Sequence, residues 1–280
     1  MIDPQDYRIE WVHGIGPNQA GFSANWTQAF NQYLNFPLSD FIEGLWATVF
    51  ANMMTVLGLN EARVPLTPQE QGAADNLSNA LVTVLQARAS ALRSGPALFG
   101  EWQDVVDREA KNADLLPPWV LDPGAYIGEF AQYLVSRRIR SAVKEKVKEK
   151  IRPLAGSGDD ISIIAHSWGT VVAYESLIDL EVELPAFQLT NLFTLGSPLW
   201  LVQPFLDDRS GRKPGNLTTW VNVHAQNDVI GSWLRPGFRV DKDFEVPNFG
   251  GGEPHGSYFV PGNVAVQRDI VAATIVPPQA

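Results

Sequence analysis

The chain contains no cysteine. That absence excludes disulfides, a thiol nucleophile and thiolate metal sites together. Histidine is scarce, with four in the whole sequence, so any imidazole base must be His13, His166, His224 or His255. No His-x-x-x-His pair or carboxylate cluster has metal-ligand spacing, so neither a metal nor another cofactor is expected. Basic residues are in deficit: 21 Lys plus Arg face 31 Asp plus Glu, a formal charge of −10. A nucleic acid partner needs a positive surface and is therefore not expected. Long apolar runs are missing as well. The most apolar stretch, 41–59, contains Glu43 and Asn52 and is too short and too polar to span a membrane. No basic-then-apolar leader opens the chain, and the expected location is cytoplasmic. Internal repeats and low-complexity tracts are also absent.

What remains is rich in core-forming residues. Apolar residues make up 45% of the chain, with 9 Trp and 14 Phe, which supports a sizeable core. Residues 7–12 alternate as a strand and are broken by His13-Gly14-Ile15-Gly16-Pro17. A helix then carries Phe22, Trp26, Phe30 and Tyr33 on one face. Residues 39–58 fit helical spacing, with Asp40 and Glu43 placed like a capping box. A buried strand over 41–47 is preferred, because the sheet needs one before residue 161. Thr67-Pro68-Gln69-Glu70 opens a helix that runs through Leu77, Leu81, Leu85 and Leu92 to Gly95-Pro96. A helical piece follows at 99–113, then one long helix over 123–152 with Val135, Ile139, Val143, Val147 and Ile151 on a stripe. The charge run from Lys144 to Lys150 reads as a solvated face. Strands are expected at 161–166, 189–195, 219–224 and 239–246, and helices at 171–180 and 264–276. Such alternation predicts an α/β fold, a doubly wound and mainly parallel sheet in a single domain. The block 60–120 has no obvious strand and reads as an inserted helical cap or lid.

One stretch carries chemistry. Ile161-Ser162-Ile163-Ile164-Ala165 is apolar and β-branched, Ser167 stands between small residues, and Val171 onward is helical. A strand, a sharp turn and a helix hold the serine hydroxyl clear of the backbone. They also aim a helix N-terminus at it and offer the Trp168 amide to a developing oxyanion. The plainer alternative is a serine that caps the helix. A nucleophilic serine also needs a base held by an acid. His13 ends the first strand, His166 adjoins the serine, and His224 ends a strand just before Asp228. His255 lies in the glycine-rich segment 250–258.

The chain resembles the α/β-hydrolase superfamily, in particular its lipase and esterase-like members, from Val12 to about Phe259 and least over 60–120. The resemblance rests on His13-Gly14-Ile15-Gly16, on Ala165-His166-Ser167-Trp168-Gly169 and on Leu195-Gly196-Ser197-Pro198. Asp228 and His255 complete it, in the family's order of nucleophile, acid, histidine. Ala165 departs from the glycine usual at the first motif position. What the resemblance implies is an α/β-hydrolase fold in which Ser167 forms an acyl-enzyme, His255 shuttles the proton and Asp228 orients the imidazole. It places the oxyanion on the amide of Trp168 and on one of Ile15 or Gly14.

Asp207 and Asp208 compete with Asp228 as the acid, His224 with His255 as the base, and Ser197 with Ser167, though a turn cap is the expected role of Ser197. Asp241 and Asp243 read as surface charges. The Trp168 ring either lines the pocket or packs on the sheet. The expected activity is hydrolysis of small carboxylic esters, acyl or lipid-like. A non-catalytic binding protein on the same scaffold, or an acyltransferase or thioesterase using the same residues, is the alternative.

Overall fold

β-Branched and aromatic runs too short for helices form the strands. In the computed structural model, residues 7–14, 20–45, 66–94 and 123–276 are described. Among them, six strands make one parallel sheet: β1 (Tyr7–Val12), β2 (Phe41–Gly44), β3 (Asp160–His166), β4 (Leu189–Leu195), β5 (Leu217–Ala225) and β6 (Lys242–Val246). Their order is β2-β1-β3-β4-β5-β6. β2 is shorter than the expected 41–47, Leu45 having already left the strand. β6 starts at Lys242 rather than at residue 239. β3 loses alternation because both its faces are covered, and Ile161 to Ala165 are all buried.

Two hydrophobic clusters flank the sheet. On one face α1 (Ala24–Leu34) and the closing helical segment 264–275 pack on Tyr7, Ile9, Trp11, Phe193 and Val223. On the other lie α2 (Pro68–Ser94), α3 (Pro123–Val135), α4 (Arg137–Ile151) and α5 (Gly169–Glu183). Of the segment expected to form a cap, residues 66–94 are described. They form α2, whose Leu81, Leu85 and Ala89 join the core of this second face. The helix expected at 99–113 lies outside the described residues. No described helix is long and apolar enough to cross a membrane.

Three expectations need correction. The helix expected over 123–152 is two helices, because Ser136 adopts extended backbone angles (φ −94°, ψ 112°). The carbonyls of Tyr133 and Leu134 take guanidinium hydrogens from the buried Arg140, at 3.3 and 2.5 Å, in place of helical amides. The charge run is a solvated face only in part: Glu149 and Lys150 are exposed, but its other lysines are not all so. Lys144 and Lys148 are buried and pair with Asp179, and Lys148 also with Glu183, which zips α4 to α5. The closing segment is helical but widens to π geometry over Gln267–Ala272. There Gln267 turns inward and donates to the carbonyls of Tyr258 and Val260.

The strand order reverses at β1. The chain leaves β1 for β2 on one side, and β3 returns on the other. In an open parallel sheet the carboxyl edge at such a switch point is the usual place for a ligand. Gly14 follows β1 there, and Ser167 follows β3.

Candidate active site

β3 ends at His166 and α5 begins at Gly169, which leaves two residues for the reversal. Ser167 takes up the turn with φ +55°, a left-handed conformation that costs a non-glycine residue about 1–3 kcal/mol. Its amide donates to the Leu195 carbonyl at 3.0 Å. Small neighbours make the turn feasible. A Cβ on Gly169 would stand 2.1 Å from the His13 carbonyl oxygen, and one on Gly14 would stand 2.7 Å from the Ser167 Cβ. The buried Ala165 has room for its methyl group.

The serine is the first member of a buried hydrogen-bonded chain. Ser167 Oγ and His255 Nε2 are 2.8 Å apart. On the other side of the ring, Nδ1 lies 3.0 Å from both carboxylate oxygens of Asp228. Asp228 comes from the loop after β5. His255 comes from a 3-10 helix, Pro254–Phe259, whose start is fixed by Glu253 accepting the amides of His255 and Gly256. Burial alone would lift the Asp228 pKa, but His255, Tyr258 and the Gly231 amide hold it well below the carboxylate range. Burial alone would lower the His255 pKa, but Asp228 and Glu253 outweigh it and leave it raised above 6.5. The opposite shifts mark a mutually stabilising pair.

The rival residues are engaged elsewhere. Asp207 is half exposed and pairs with Arg140 and Lys144. Asp208 pairs with Arg212. His224 faces Glu245 at 3.3 Å. Ser197 bonds the Thr170 hydroxyl at 2.7 Å and accepts the Leu199 amide, as a turn cap does. Asp241 pairs with Lys213. Asp243 is not a surface charge: it is buried and accepts from Asn222 and from the amides of Leu234 and Arg235, pinning the chain that follows Asp228.

Trp168 opens α5, and its ring is buried against Phe130, with centroids 3.9 Å apart. That is packing on the α3 layer. Gly14 lies beside the serine, whereas Ile15 lies outside the described residues.

Several groups around the chain have no local sequence signal. His166 turns away from the serine and bonds the His255 carbonyl through Nε2 at 2.8 Å. Burial and the neighbouring His255 push its pKa down to about 3, so it stays neutral and supports the base through the backbone. Gly196 and Gly231 leave room for the imidazole and the carboxylate: a Cβ on either would stand within 3.0 Å of them. Arg88 reaches from α2 to the Gly231 carbonyl at 2.8 Å and lies over the Trp200 ring. Tyr258 donates to Asp228. On the α1 side, Trp26 stacks on Phe259 at 4.0 Å, with His166 edge-on to both rings. A separate groove of 730 Å³ along the β2 edge, lined by Ser23, Phe41, Glu43 and Lys150 among others, includes none of the Ser167 chain. The described residues hold no cluster of His and carboxylates that would bind a metal ion.

Fold and site together define an α/β protein with a buried Ser–His–Asp chain at the carboxyl edge of a parallel sheet. No protein-family model and no curated protein matches it. Among solved structures, an uncharacterized protein from Pseudomonas aeruginosa is similar at 12% identity with a TM-score of 0.31. That match takes in 96% of this chain and 45% of the other, so the chain spans less than half the length of that protein. A likeness at this level carries no argument about fold family or activity.

Proposed function

We propose that this protein is a serine hydrolase of carboxylic esters built on an α/β-hydrolase scaffold. One observation carries the reading. Ser167, held at positive φ in a strand-to-helix turn, lies 2.8 Å from His255 Nε2, and Asp228 lies 3.0 Å from the opposite ring nitrogen. A helix cap needs neither the histidine nor the carboxylate.

In this mechanism Ser167 Oγ attacks the ester carbonyl carbon as its proton passes to His255 Nε2. Asp228 keeps Nδ1 protonated and stabilises the imidazolium. In this reading the oxyanion is held by the Trp168 amide at the start of α5 and by an amide of the segment after β1, Gly14 or Ile15. Collapse breaks the bond to the alkoxy group, which leaves as an alcohol carrying the proton from Nε2. Water, deprotonated by His255, then attacks the acyl carbon and frees the acid and Ser167.

A fluorophosphonate probe tests the nucleophile. The parent is expected to label and Ser167→Ala not to label, with ester turnover reduced by roughly 10⁴–10⁶-fold. Equal labelling of both, or of neither, removes Ser167 from the role. With a labelled parent, a chain-length series of aryl esters ranks the acyl groups accepted.

A further inference from the structure

His255 and Tyr258 are three positions apart on one 3-10 helix. Such a helix repeats every three residues, so the two side chains leave the same face. Both reach Asp228. Tyr258 is fully buried. Its oxygen accepts the Ala225 amide at 2.9 Å and donates to Asp228 Oδ2 at 2.5 Å. With the Ala225 hydrogen on one lone pair, the phenolic proton has the carboxylate as its acceptor. Burial and the adjacent Asp228 push the phenol pKa well above 10, so the hydroxyl stays a donor across the working pH range. Asp228 Oδ1 accepts the Ile230 amide at 2.8 Å, so each oxygen is held by a donor other than the imidazole.

Resting on the proposed Ser167–His255–Asp228 chemistry, we infer that Tyr258 is a positioning residue: its hydroxyl fixes the Asp228 carboxylate toward His255 and sets how strongly it polarises the imidazole. A phenol donating to Oδ2 withdraws negative charge from the carboxylate. Without it, more of that charge faces Nδ1–H, and the imidazolium is better stabilised. Other groups face the pair from the neighbouring elements. Glu253 holds the His255 amide, His166 lies against the ring, and Arg88 on α2 sits over the backbone of 228–231. Tyr258→Phe leaves all of these in place and removes one oxygen.

The experiment is a ¹⁵N NMR titration of the His255 imidazole in the parent and in Tyr258→Phe, beside the pH profile of kcat/KM. Both the titration and the acid limb of the profile are expected to move upward, by about half to one pH unit. Replacing Tyr258 alone with 3-fluorotyrosine keeps the shape and makes the phenol more acidic, so it should move the titration downward. It also serves if Tyr258→Phe does not fold. A Tyr258 that merely fills space lowers the melting temperature of Tyr258→Phe and leaves the titration unmoved in both variants, which overturns the inference. The titration needs no turnover. A shift in a parent that neither labels nor hydrolyses esters supports the coupling and removes the hydrolase reading. Turnover with an unmoved titration does the reverse.

Discussion

At Gly196 the backbone has φ +60°, and a Cβ would stand 2.9 Å from the His255 ring and 3.0 Å from Asp228 Oδ2. Alanine there meets two separate penalties. The left-handed conformation costs about 1–2 kcal/mol, and the methyl displaces the imidazole from the serine. Misplacing a reacting group by about 1 Å can cost roughly 10²-fold in rate. Gly196→Ala is therefore expected to lose about 10²-fold in ester kcat/KM with only a modest drop in melting temperature. Gly156 supplies the control, because its φ is +91° yet nothing lies within 4 Å of its would-be Cβ. Gly156→Ala carries the backbone cost alone and should keep parental kcat/KM. Equal kinetic losses in the two variants would refute the steric account. Such roles are hard to read from a sequence. Ser167, Asp228 and His255 are nominated because the chemistry needs those residue types and because their order is the one that the family resemblance implies. Gly196 and Tyr258 matter through distances between segments remote in the chain, and Tyr258 meets Ala225 across 33 positions.

Among the elements, those with a local signal match the reading and those governed by tertiary partners do not. The Thr67–Glu70 box forms as read: the Thr67 hydroxyl accepts the Glu70 amide at 3.2 Å, and the Glu70 carboxylate accepts the Thr67 amide at 2.8 Å. β4 matches because a buried apolar run bounded by polar turns has few other fates. The stripe from Val135 to Ile151 suggested one helix, since periodicity cannot register a single extended residue at Ser136. The break is tied to Arg140, which also donates to Glu175, Asp207 and the Phe205 carbonyl. One buried guanidinium thus joins α3, α4, α5 and the segment after β4. Arg140→Met keeps much of the bulk and leaves the buried Glu175 carboxylate and two helix-end carbonyls without this donor. Removing one member of a buried ion pair costs about 3–5 kcal/mol. That loss should appear as a lower urea midpoint with an unchanged slope, and a shift corresponding to under 1 kcal/mol would contradict the joining role.

Among the described residues, Ser167 and Asn227 adopt positive φ at the carboxyl edge of the sheet, whereas a buried carboxyl group lies within the sheet itself. Glu10, on β1 between β2 and β3, is fully buried, and neither carboxyl oxygen has a hydrogen-bond partner among the described residues. Burial pushes its pKa well above 4.5, against the opposing pull of Lys150. A raised folded-state value means that the native protein holds a proton the unfolded chain releases. The stability from this group is complete below pH 4.5 and is lost as pH rises toward the folded-state pKa. Within that window the slope is about 1.4 kcal/mol per pH unit for one proton. Asp228 and His255 also shape the curve. The lowered Asp228 contributes stability that is lost as pH falls below 3.8, and the raised His255 contributes stability that is lost as pH rises above 6.5. Both are present in the parent and in Glu10→Gln, so the difference between the two stability curves isolates Glu10. Glu10→Gln should lose less stability between pH 5 and 8 than the parent, the difference shifting toward the variant by about 1.4 kcal/mol per pH unit while the parent carboxyl stays protonated. Parallel curves across that range would mean that the carboxyl titrates alike in the folded and unfolded chain, a result incompatible with an unpaired carboxyl buried in the sheet.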